Sequence, residues 1–174
     1  MSYGLLLIRL VFGVSMAAHG GQKLFGWFGG GGPRATAGFF EKLDFRWPFA
    51  MALLAGLSEL GGGLLFAAGL LTPLAAFALV VVMLNAIATV HWAKGFWVTA
   101  GGYEYNLAIL SAAVAVAAIV PGRFSIDSWF GWAGNLSGVW WGVGALTAAA
   151  VVSLITLAVG RTHTLQPGPA THAP

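Results

Sequence analysis

The chain has 174 residues, 59% apolar and only 7% charged, with a formal net charge of +3. Soluble domains carry about 25% charged residues, so these few charges cannot cover a soluble surface, and the composition is that of an integral membrane protein. The absence of cysteine excludes disulfides, thiolate-bound metal, cysteine-held iron–sulfur clusters and CxxC redox chemistry. Eight scattered basic residues make no nucleic-acid face.

Five apolar segments approach the roughly 20 residues needed to cross the hydrocarbon core as a helix: 4–24, 49–71, 74–93, 103–120 and 139–160. The first resembles a secretory signal only loosely. It lacks a basic leader and carries Arg9 inside its apolar run, so it reads as a retained helix. Loop 26–48 follows, with four consecutive glycines and then "GFFEKLDFRWPF", which alternates aromatics with charges as an interfacial segment does. Thr72-Pro73 leaves room only for a tight turn, which makes the second and third segments an antiparallel hairpin. "VPGRFSID" marks an exit from the membrane, and "SWFGWAGNLSGVWW" reads as an aromatic belt leading into the last span.

The expected fold is therefore an all-α membrane protein. A four-helix transmembrane core occupies 1–130 and includes the interfacial first loop. An interfacial segment and a fifth, C-terminal transmembrane helix occupy 131–160. Residues 161–174 form a polar, proline-rich tail expected to be disordered, with His163 and His172 inert. Lys23, Arg34, Lys42, Arg46, Lys94 and Arg161 fall on one side of this topology and Arg123 on the other. The excess of basic residues places the first side in the cytoplasm, the N-terminus outside and the C-terminus inside.

Ionisable groups inside hydrocarbon cost a few kcal/mol each and call for a reason. At about 100° per residue, Lys23 lies roughly 40° and His19 roughly 80° from Arg9, all on a stripe with Gly13, Met16 and Gly20. Glu59 sits in the second span between Gly56 and Gly63, on a face of small residues suited to close helix packing. Arg9 is the charge expected at similar depth, so an Arg9–Glu59 pair is proposed from the sequence, either as chemistry or only to set helix register. Asn85 and Thr89 share a face of the third span, which ends at His91; the fourth begins with Tyr103, Glu104, Tyr105 and Asn106. The topology collects His19, Lys23, His91, Lys94 and Glu104 at the cytoplasmic end. Glycines 20, 21, 101 and 102 would there admit the close approach of a ligand.

Three stretches together resemble the DoxX/DoxD-like family of small bacterial membrane proteins: "LLLIRLVFGVSMAAHGGQKLFGWFGG" with "GFFEKL", "GLSELGGGLLFAAGLLTPLAA", and "HWAKGFWVTAGGYEYNLAIL". "PGRFSID" is similar to the family's usual ending, so the resemblance covers about residues 3–130. It implies a four-helix protein of the bacterial cytoplasmic membrane associated with redox functions, as a subunit related to thiosulfate:quinone oxidoreductase or a component of oxidative-stress complexes. The fifth span lies beyond this core and is available for a partner or oligomer contact.

The leading functional expectation is a quinone-linked oxidoreductase subunit that draws electrons from a partner protein. His19, His91 and Glu104 are its candidate catalytic and proton-carrying residues, and Gln22, Lys23, Asn85, Tyr103 and Asn106 its candidate quinone-binding residues. The glycine run is not GxGxxG after a strand, so neither flavin nor nicotinamide binding is expected. The alternative is a non-catalytic assembly subunit, in which neutral isosteres at His19 or Glu104 leave a partner's activity intact. A haem or metal carrier using His19 and His91 ranks lower, because no CxxCH is present. A solute or lipid transporter also ranks lower, because no inverted repeat with broken helices is visible.

Overall fold

The structure, a computed structural model, describes residues 2–162. It is all-helical: α1 Ser2–Phe25, α2 Gly32–Lys42, α3 Pro48–Ala68, α4 Thr72–Ala86, α5 Glu104–Ile119, the single turn α6 Ile126–Trp129, and α7 Val139–Gly160. Past Ala86 the helix widens to π turns over Ile87–His91 and then tightens over Trp92–Lys94. Among the described residues four stretches are long and apolar enough to cross a membrane: Ser2–Phe25, Pro48–Ala68, Thr72–Lys94 and Val139–Gly160. The protein is therefore a multi-pass membrane protein in contact with lipid. The fourth expected segment, 103–120, is shorter as a helix, with 16 residues. Val120 is extended ahead of Pro121, the conformation a following proline enforces.

α1 and α3 form one tightly packed pair, and α4, α5 and α7 form a second group; the α3–α4 hairpin joins them. Glycines close the α1–α3 seam. A Cβ on Gly13 would lie 2.6 Å from both Gly63 O and Ala67 N, and one on Gly63 would lie 2.6 Å from Gly13 O. Gly20 is pressed in the same way against Gly56 and Leu60. Only glycine lets two helix backbones meet at this spacing. The core between the two groups is built from Met16, Phe66, Leu79, Val80, Ile109 and Val116.

α2 crosses one end of the bundle and packs on α3 and α1. It starts at Gly32, earlier than the aromatic–charged stretch alone suggested, with Pro33 in its first turn, where a missing N–H costs nothing. Arg34, Glu41 and Lys42 are exposed, while Phe45 beyond the helix is buried and meets Phe40 edge-on at 5.2 Å. The C-terminal end of α7 lies at this same end. Arg46 N–H donates to Gly160 O at 2.8 Å, Thr162 N–H donates to Asp44 O at 2.8 Å, and Phe45 and Arg161 form an antiparallel bridge. Arg161 and Thr162, expected to open a disordered tail, are thus fixed to the first loop; residues 163–174, with His163 and His172, lie outside the described residues. The two ends of the bundle are called below the α2 end and the α6 end.

Candidate functional site

The structure corrects the proposed Arg9–Glu59 pair. Arg9 lies at the α6 end, 1% exposed, and its guanidinium donates to three backbone carbonyls: Pro121 O, Ala67 O at 3.2 Å and Phe124 O at 2.7 Å. Ala67 lies in the last turn of α3, and Pro121 follows the end of α5. Unpaired carbonyls and the negative end of the helix dipole concentrate at such termini, which gives the cation its reason to be there. Asp127, fully buried, does the converse for α4. Its carboxylate accepts from Leu71 N–H at 2.8 Å, Thr72 N–H at 3.0 Å and Thr72 Oγ1 at 2.7 Å. It caps the positive end of α4 and holds Leu71 at φ 47, a left-handed conformation that costs a non-glycine residue energy.

Glu59 instead pairs with Lys23 at the α2 end, Nζ to Oε2 2.5 Å, with the glutamate side chain 5% and the lysine side chain 28% exposed. The pair lines a cavity of about 630 Å³ between the two helix groups, bordered at the α2 end by Phe39, Phe40 and Phe45. Of the residues expected at the site, His19, Lys23, Asn85, His91 and Asn106 all line it. Apart from these its walls are mainly apolar, with Met16, Phe77 and Ile109 among them.

Glu104, Tyr103 and Gln22 do not line the cavity. Glu104 accepts from Val98 N–H at 3.0 Å, tying down the loop before α5, and Tyr103 stacks on Trp92 at 5.5 Å. Both serve the loop that follows the α4 span. Gln22 bonds His19 and Phe28 O instead. Of the glycines expected to admit a ligand, Gly101 and Gly102 line the cavity, Gly102 also pressing on the Gly95–Phe96 backbone, whereas Gly20 packs against α3 and Gly21 beneath Trp27. Tyr105, noted at the start of the fourth span but given no role, also lines the cavity, and sequence reasoning missed Ser58 and Thr156, which line it too, and Asp127, whose only signal was an acidic residue in the first turn after Ser125, the N-cap of α6.

The hydrogen-bond partners assign the ring nitrogens. His91 Nδ1 lies 2.6 Å from Gly101 O, which can only accept, so Nδ1 carries the proton and neutral His91 keeps a lone pair on Nε2. Gln22 Nε2 donates to Phe28 O, which turns its Oε1 toward His19 Nδ1 at 3.1 Å; neutral His19 likewise keeps its lone pair on Nε2. Asn85 spends its amide protons on Val81 O and Ser153 Oγ, and its Oδ1 is buried without a partner. Asn106 Nδ2 has only a contact with Met83 Sδ at 3.5 Å. The cavity thus offers an acceptor-rich set, with Lys23 as its strongest donor. Among the described residues no three His, Asp or Glu side chains converge as a metal site.

The family model described as DoxX matches residues 4–92, about half of the chain, and the chain belongs to that family. The match takes in α1, α2, α3 and α4, with the Lys23–Glu59 pair and His91. No curated protein and no solved structure matches the chain.

Proposed function

We propose that this DoxX-family protein is a quinone-linked subunit of a membrane redox system, with its head-group site in the cavity at the α2 end. The observation that carries this reading is a mainly apolar cavity of about 630 Å³ lined by a part-buried lysine–glutamate pair and a histidine. Its volume lies in the range of about 300–1,000 Å³ usual for small-molecule sites, and its few polar groups are suited to orienting an otherwise apolar ligand.

A bound quinone would supply a couple that exchanges two electrons and two protons. The residues fit such a head group. Lys23 Nζ has donors beyond the one on Glu59 and would hold a carbonyl oxygen. Glu59 and His91 Nε2 would accept from hydroxyls, so the balance favours the reduced, hydroxyl-bearing form. His91, fixed by Gly101 O, would hold or release a proton at Nε2. The apolar walls would hold the ring of the head group. With no cysteine and no dinucleotide fingerprint in the chain, electrons come from a partner protein carrying flavin, haem or an iron–sulfur centre.

In this reading α5 is a short fifth crossing. Its 16 residues span about 24 Å at 1.5 Å per residue, a mismatch that local bilayer thinning accommodates. The basic α2 end faces the cytoplasm of a bacterial inner membrane, and the N-terminus faces outward. A second reading, a non-catalytic assembly subunit, is favoured by the structural roles of Glu104 and Tyr103. Purification into native nanodiscs followed by lipid extraction separates the two. The redox reading predicts retained quinone or quinol, lost in a folded Lys23→Met/Glu59→Gln double variant. A stable protein complex without quinone supports the assembly reading.

A further inference from the structure

The geometry points to a polar passage between α1 and α5, framed by His19 and Tyr105, that connects the cavity to the aqueous phase at the α2 end. His19 and Tyr105 both line the large cavity. They also line a second space of about 250 Å³, with Ser15, Ala18 and Gln22. Two residues from different helices therefore form a wall common to both spaces. Around the smaller space every side chain except Ala18 is polar, which suits water rather than a lipid chain.

The seam itself supports this. α1 meets α3 backbone to backbone through its glycines, but it only lightly touches α5. Separation of the two helix groups is therefore easiest between α1 and α5. Tyr105 is 43% exposed and, among the described residues, belongs to no hydrogen bond or aromatic pair that fixes its ring, so rotation about its side-chain bonds can open or close the common wall. His19 is exposed as well, and its ring is tied through Gln22 to Phe28 O in the first loop. It lies one helical turn before Lys23 on α1. Water admitted here reaches the Lys23–Glu59 pair, and His19 is the group on the threshold that can take up and release a proton. That the protons serve a quinone head group rests on the function proposed above; the passage itself does not.

The cysteine-free chain allows a direct test. Ser58 lines the cavity from α3, so a Ser58→Cys variant of the full chain in nanodiscs reports access to it. A charged, membrane-impermeant methanethiosulfonate is the probe. The passage predicts labelling that slows about tenfold when Tyr105→Trp is added, an obstruction equal to one decade in rate, and that accelerates when Tyr105→Ala is added instead. Glu41→Cys, exposed on α2 outside the membrane spans, keeps one rate in all three backgrounds. If Tyr105→Trp does not fold, the acceleration in Tyr105→Ala decides. Absence of labelling at position 58, or one rate regardless of residue 105, overturns the inference. The experiment contains no quinone, so failure of quinone binding leaves its outcome untouched.

Discussion

Lys23 and Glu59 meet across the α1–α3 seam, Nζ to Oε2 2.5 Å, because the glycines set the register of the two helices. Gly13 faces Gly63 and Gly20 faces Gly56, so seven residues forward along α1 are seven residues back along α3. In that register Arg9 falls beside Ala67 and Gly69 at the end of α3, and Glu59 comes within reach of Lys23.

Removing one partner of this pair leaves a charge in an apolar setting. Loss of one member of a buried pair costs about 3–5 kcal/mol; the partial exposure of Lys23 reduces this to about 1–3 kcal/mol for Lys23→Met. The double variant Lys23→Met/Glu59→Gln recovers most of the loss, because no uncompensated charge remains. Thermal unfolding of the three proteins in one detergent measures the coupling. Additive losses in the double variant would show that the two groups do not act as a pair.

At the α6 end, geometry matters as well as charge. Arg9→Lys keeps the charge but its single ammonium cannot span the three carbonyls on α3 and the α5–α6 connection, and about 1–3 kcal/mol is lost as buried acceptors go unpaired. Asp127→Ala removes the α4 cap and costs about 1–2 kcal/mol, whereas Asp127→Asn, which still accepts, costs less. Hydrogen exchange at the amides of Leu71 and Thr72 reads the cap directly: protection falls in Asp127→Ala and is largely kept in Asp127→Asn.

The seam predicts opposite outcomes at two glycines. Gly13→Ala places a methyl 2.6 Å from the backbone of α3, where nothing flexible can give way. It forces the helices apart and costs upward of about 1–3 kcal/mol, the range for overpacking. Gly144→Ala in α7 meets nothing within 4 Å and gains up to about 1 kcal/mol in helix propensity. Melting curves of the two variants should move in opposite directions.

Much of this was legible in the sequence. Composition and apolar runs identified a membrane protein, and α7 falls on its expected limits, 139–160. Topology alone brought His19, Lys23 and His91 to one end of the bundle, where all three line the cavity, because hydrophobic length fixes which helix ends lie together. The ion pair was misassigned because depth was judged helix by helix, although matching Gly13 and Gly20 to Gly63 and Gly56 was possible from spacing. Glu104 and Tyr103 were read by their proximity to the membrane boundary, but the loop's own backbone engages Glu104 and Trp92 engages Tyr103. Asp127 was overlooked because its partners, Leu71 and Thr72, lie 56 and 55 residues away, a distance at which sequence pattern carries no contact information.

The most direct measurement is a titration of the purified protein in nanodiscs with a short-chain quinone and the matching quinol, followed by quenching of intrinsic tryptophan fluorescence. The account predicts saturable binding of both, tighter for the quinol. It also predicts affinity weakened about tenfold, or about 1.4 kcal/mol, in Lys23→Met/Glu59→Gln and in His91→Phe. Non-saturable partitioning in the wild type, or equal affinity in the wild type and both variants, would contradict a quinone site in this cavity.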